Sequence, residues 1–232
     1  MRLLFKRILC LVIFTFSSFG ILYANELEGE YIIEVGKFNI GKLYWNIGIL
    51  ENNYKISIKL KDEGLWAALY KFKGEYSAEG AIKDDILIPA YYKFSWLTKN
   101  KNRRVKIVFD NGSLSELDMF PVEKETARIN FIGITGFVDP LSSFLKILMN
   151  KAHSPTIDGR RIYTMVVNKT KQKNNTMTKT ILIKDYINIW ADHKRNDLKF
   201  IEITQTNNKK NFSMPDILKI KLKGIIFTLN KI

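Results

Sequence analysis

From Tyr54 to Lys61 the chain alternates without a break: Tyr54, Ile56, Ile58 and Leu60 are apolar, while Lys55, Ser57, Lys59 and Lys61 are polar. Only an extended backbone gathers such residues on one face, because successive side chains of a strand point to opposite sides. The pattern recurs. Tyr70 and Phe72 alternate with Lys71 and Lys73, Tyr92, Phe94 and Trp96 with Lys93 and Ser95, and Val105, Ile107 and Phe109 mark a further strand. Glu51-Asn52-Asn53 is a turn that pairs residues 41–50 with the strand after it. Asn111-Gly112 suits a tight hairpin, since both residues tolerate positive φ, and residues 114–120 form the returning strand. Strands are also expected within 161–167, 180–190, 199–205 and 217–229. Polar residues 169–178 read as a mobile hairpin tip and 207–211 as a shorter loop.

One segment breaks the rule. After Asp139-Pro140, Leu141, Phe144, Leu145, Leu148 and Met149 recur at helical spacing. Asp139 is a good N-cap, and Pro140 suits the first helical position, where its missing N–H had no partner within the helix. The expected fold is therefore mainly β: a strongly curved antiparallel sheet or partly open β-barrel wrapped around one helix at about 139–150.

The N-terminus has a different character. Arg2, Lys6 and Arg7 precede an uncharged apolar run from position 8 to 22, and small Ala24 precedes polar Asn25-Glu26. That is the pattern of a cleavable secretory signal peptide over residues 1–24. The alternative, a retained anchor, is disfavoured because the run is diluted by Thr15, Ser17, Ser18 and Gly20 and falls short of the roughly 20 apolar residues that span a bilayer. Cleavage at Ala24 would remove Cys10, the sole cysteine, so residues 25–232 would form one periplasmic domain without disulfides. No later segment approaches spanning length.

The net charge is +14, three units of it from the leader. In an exported protein this points away from nucleic acid and toward anionic lipid head groups or phosphorylated glycolipid. Scattered strand lysines, each on a solvated face, would give the same total. Catalytic patterns are missing. His153 and His193 have no neighbours at metal-ligand spacing, and neither a Gly-x-Ser-x-Gly elbow nor a glycine-rich phosphate loop occurs. No metal or other cofactor is implied. Asp84-Asp85 is a paired acid in a polar turn, and dispersed carboxylates could still serve a glycosidase.

Four short motifs in order carry a family resemblance. They are Ile86-Leu87-Ile88-Pro89-Ala90-Tyr91, Asp139-Pro140-Leu141-Ser142-Ser143-Phe144-Leu145, Ile157-Asp158-Gly159-Arg160-Arg161 and Ile189-Trp190-Ala191-Asp192. Over residues 28–205 the chain resembles the bacterial domain-of-unknown-function family 3108, and departs from it at Asn196-Asp197-Leu198, where the family often has a proline. The resemblance implies an exported envelope protein with no established activity. A looser architectural similarity is to periplasmic lipoprotein carriers of the LolA and LolB kind, whose curved sheets enclose an apolar cavity.

Through the family motifs the candidate binding residues are Tyr91, Asp139, Ser142, Asp158, Arg160 and Trp190; none is assigned a catalytic role. Each also has a plain structural use, as helix cap, turn, strand edge or core aromatic. Three functions stay open: a non-enzymatic binding or scaffold protein of the envelope, holding an apolar or anionic lipid; an envelope hydrolase using dispersed carboxylates; and an interaction module for an envelope protein partner.

Overall fold

The computed structural model describes residues 25–63, 71–190, 197–206 and 213–232. Residues 1–24, read as a signal peptide, residues 207–211, read as a loop, His193 and the end of the last family motif lie outside the described residues.

Seven strands come first: β1 (Asn25–Val35), β2 (Phe38–Leu50), β3 (Asn53–Asp62), β4 (Phe72–Lys83), β5 (Ile86–Thr98), β6 (Asn102–Asp110) and β7 (Ser113–Phe120). Helix α1 (Pro140–Leu148) follows. Then come β8 (His153–Ile157), β9 (Arg161–Lys173), β10 (Thr176–Asn188), β11 (Leu198–Thr206), β12 (Ile217–Leu222) and β13 (Ile225–Lys231). All thirteen belong to one antiparallel sheet in the order β7-β6-β5-β4-β3-β2-β1-β13-β12-β11-β10-β9-β8. Each half is a meander. The first and last strands pair at its middle, so the long connection through α1 joins the two outermost strands.

Laid flat, such a sheet would be roughly 55–60 Å wide. It curls instead. The β8–β9 turn approaches the far arm so closely that a Cβ on Gly159 would lie 2.7 Å from Val105 on β6 and 3.1 Å from Leu117 on β7. Register shifts in the β1–β2, β4–β5, β6–β7 and β9–β10 ladders supply local twist. At the β4–β5 shift, a side chain on Gly80 would collide with the Ile88 carbonyl and sit 2.7 Å from the Tyr54 hydroxyl, so only glycine fits.

The sheet is not closed into a barrel. The strand-free segment 121–139 bridges its edges. Ile134 O accepts from Leu114 N–H on β7 (3.0 Å), and farther along Val138 pairs with β8 through Pro155 O and Ile157 N–H (3.1 and 2.9 Å).

Apolar residues from both arms line the inner face, among them Tyr31, Ile47, Tyr54, Ile56, Ile107 and Ile181, and α1 fills the space they enclose. Seven of its nine residues are buried. Phe144 packs on Trp45 of β2 with ring centres 5.1 Å apart. Among the described residues, no helix is long and apolar enough to cross a membrane.

Several sequence expectations change in detail. Residues 169–178 are not a loop: β9 and β10 pair continuously up to Asn174-Asn175, although 168–176 are exposed on both faces. Without an apolar stripe this part of the ribbon looks like a loop in sequence, yet its ladder hydrogen bonds hold it extended. The run 217–229 is two strands folded at Lys223-Gly224, both with positive φ. Residues 153–157, just past the expected end of the helix near Asn150, form β8. Pro89 lies in an interior strand, at a point where β5 extends past its ladder with β6, which begins at Tyr91. There the missing N–H costs no ladder bond.

Candidate functional site

The six residues singled out by the motifs fall into three places. Asp139 and Ser142 lie together at the start of α1. Asp158, Arg160 and Trp190 gather at the seam beside the β8–β9 turn. Tyr91 stands apart on β5, half-buried and opposite Glu79 and Val108.

Asp139 caps the helix from inside the molecule and is 0 % exposed. Its Oδ1 accepts from the N–H groups of Leu141 (2.9 Å) and Ser142 (3.0 Å), two donors that a helix start leaves unmatched. The Ser142 hydroxyl donates to Oδ2 at 2.5 Å and lies 2.7 Å from the Tyr54 hydroxyl of β3. Beside this chain, Ser143 Oγ is 2.8 Å from Ser154 Oγ and 2.6 Å from Thr156 Oγ1, both on β8. Burial pushes the Asp139 carboxyl up to about 6, against the pull of those hydrogen bonds. Burial also raises Tyr54 far above the usual phenol range, with the charge of Asp139 adding to it. Every polar atom of the group has a protein partner, and none faces solvent. This arrangement positions a helix; it offers no approach for water or substrate.

The other end of α1 has a matching anchor. Lys179 of β10 is 4 % exposed and donates from Nζ to Ile147 O (2.9 Å) and Asn150 Oδ1 (2.7 Å). Burial lowers its pKa. A buried carboxylate at the N-terminus and a buried ammonium at the C-terminus both complement the helix dipole. Lys179 was not among the sequence candidates because it sits in a lysine-rich polar run; the alternation of β10, which turns it inward beside Ile181, is its only signal.

At the seam, Asp158 accepts from the N–H groups of Arg160 and Arg161 (2.9 and 2.8 Å) and from Arg161 Nε (2.8 Å). Arg161 also reaches Asp197 across the β10–β11 connection (2.8 Å). Arg160 pairs with Glu123 and donates to Pro121 O at 3.3 Å. Trp190 Nε1 donates to Gly159 O at 3.0 Å, and its ring meets Phe131 edge-on. The Arg160 and Trp190 contacts fasten the bridging segment beside the β8–β9 turn, where ladder pairing is missing, while Asp158 and Arg161 brace the turn itself.

Among the described residues no group of three or more His, Cys, Asp or Glu side chains could hold a metal ion. Asp84 and Asp85 form an exposed turn, both at positive φ. The outer face carries an open groove of about 380 Å³ over β1–β3, lined by Glu28, Glu30, Tyr44, Asn46, Ser57 and Lys59. Its acids are partnered: Asn46 donates to Glu28 (3.0 Å) and Lys42 pairs with Glu30 (3.1 Å).

Residues 30–210 match the model of a family described as a protein of unknown function, DUF3108. None of the curated proteins matches the chain. The fold is similar to the crystal structure of a beta-barrel-like protein of domain of unknown function DUF1849 from Brucella abortus, with a TM-score of 0.55 and 9% sequence identity, covering 92% of this chain and 98% of that one. At that identity the likeness is one of fold.

Proposed function

Because the chain belongs to the DUF3108 family, whose description names no activity, we propose a role from its own geometry: an exported, non-enzymatic scaffold or binding protein of the bacterial envelope that acts through its exterior. The observation that carries this role is the state of the interior. The space inside the curved sheet is taken by α1, and its two ionisable anchors, Asp139 and Lys179, are consumed in holding the helix. A lumenal carrier would need that volume for a guest, and a hydrolase working inside the sheet would need one of those groups in reach of water. The leader-like residues 1–24 supply the argument for export.

The test is native mass spectrometry of the protein recovered from the periplasmic fraction. We expect a chain that begins at Asn25 and carries no lipid. A chain confined to the cytosol with residues 1–24 intact would overturn export. A retained lipid would replace the scaffold with a carrier.

A further inference from the structure

Hairpin tips of an antiparallel meander point alternately to its two rims, so the order of strands assigns each tip to a rim. One rim holds Gly36-Lys37 between β1 and β2, Lys99-Asn100-Lys101 between β5 and β6, and Lys223-Gly224 between β12 and β13; every one of these residues is exposed. The opposite rim holds Glu51-Asn52 between β2 and β3, Asp84-Asp85 between β4 and β5, and Asp110 at the β6–β7 turn, also all exposed. That second rim is mixed in charge: Lys83 and Lys151 are exposed beside its turns, and the β9–β10 tip, flanked by Lys171 and Lys173, projects from it.

Among the described residues no ion pair engages Lys37, Lys99, Lys101 or Lys223. Of the carboxylates near that rim, Glu63 lies 3.5 Å from Lys42, Glu123 pairs with Arg160, and Asp158 and Asp197 pair with Arg161, while Glu125 and Asp185 are exposed.

Apolar side chains stand beside these lysines. Leu97, two residues before Lys99, is 52 % exposed, and Ile225 and Ile226, directly after Lys223-Gly224, are 47 % and 44 % exposed. The β1–β2 and β12–β13 tips are two strand spacings apart, roughly 10 Å. Cations spread along a rim, with exposed aliphatic side chains at two of the three tips, match a laterally continuous negative surface with a hydrocarbon layer beneath it. A protein partner would instead be met by a compact patch. Ammonium groups rest at phosphate depth while aliphatic side chains reach deeper.

We propose that the Lys37, Lys99–Lys101 and Lys223 rim docks the protein on an anionic lipid membrane surface, with Leu97, Ile225 and Ile226 entering the head-group layer and the opposite rim turned away. This rests on the exported, exterior-acting role above and names its surface.

Flotation of the exported protein with vesicles tests it. Binding is expected to phosphatidylethanolamine vesicles containing phosphatidylglycerol, to weaken with added salt, and to be absent from phosphatidylcholine vesicles. Reversing the tips with K37E, K99E, K101E and K223E should cut binding by well over tenfold, since each cation near such a surface is worth about fivefold. Leu97→Ser with Ile225→Ser and Ile226→Ser should weaken binding while keeping its salt dependence. The exposed E51K and D84K, on the opposite rim, should leave it unchanged. Circular dichroism confirms that each variant is folded. Equal binding by the reversed variant would overturn the proposal, as would binding to envelope-derived vesicles but not to protein-free vesicles of the same lipids. Neither result touches export or the absence of a lumenal lipid, which the mass measurement reads separately.

Discussion

At the residue scale, Asp139 is the most consequential side chain. Asp139→Ala removes the cap and leaves the Ser142 hydroxyl without its acceptor, so unfolding by denaturant should show a loss of about 2–3 kcal/mol. Asp139→Asn keeps a capping oxygen and should cost less. The pH dependence separates the two states of the wild-type group. Its folded pKa, about 6, is raised above the ordinary 3.8, so the protonated form is favoured in the folded protein. The associated stability is fully present below about pH 4 and is lost as pH rises through 6, a change of about 3 kcal/mol. Asp139→Asn should flatten that slope in denaturation curves taken between pH 4 and 7; an unchanged slope would assign it to another group. The cap itself was legible, because Asp-Pro before a helical stripe has few other uses. Its hydrogen bond to β3 through Ser142 and Tyr54 was not, since 88 residues separate the partners.

At the element scale, α1 is held at both ends by buried charge. Lys179→Met keeps the aliphatic stem but removes the donor to Ile147 O and Asn150, and should lower stability by about 1–2 kcal/mol. A similar change at exposed Lys173 should have little effect, and denaturation of the two variants side by side checks the contrast. Strands with one solvated face could be read from their alternation, and the Asn111-Gly112 turn from its residues, which do adopt positive φ. The β9–β10 ribbon could not, because a ladder with both faces in water leaves no apolar period. Strand β8 was hidden by its shortness and by Pro155.

At the scale of the whole molecule, curvature and order are set by contacts that sequence spacing does not report. Gly159 is the clearest case: its φ of +87° and its contact with Val105 and Leu117 join the two arms of the sheet. Gly159→Ala should cost about 2 kcal/mol or more, seen as a lowered unfolding midpoint, and should loosen the seam between β7 and β8. Asp158, Arg160 and Trp190 could be chosen from their motifs, but the fastening of the 121–139 bridge by Arg160 and Trp190 emerges only when the sheet curls. The assignment of each tip to a rim follows from strand order in the same way. The central claim is that α1 is the permanent occupant of the interior, which leaves the exterior to act. Native-state hydrogen exchange of the α1 backbone measures this directly. The amides of Leu145, Ile147 and Leu148 should exchange only with global unfolding, as slowly as the protected strands. Exchange through a local opening, well before the strands β2 and β3 give way, would show a helix that leaves its place and would contradict the account.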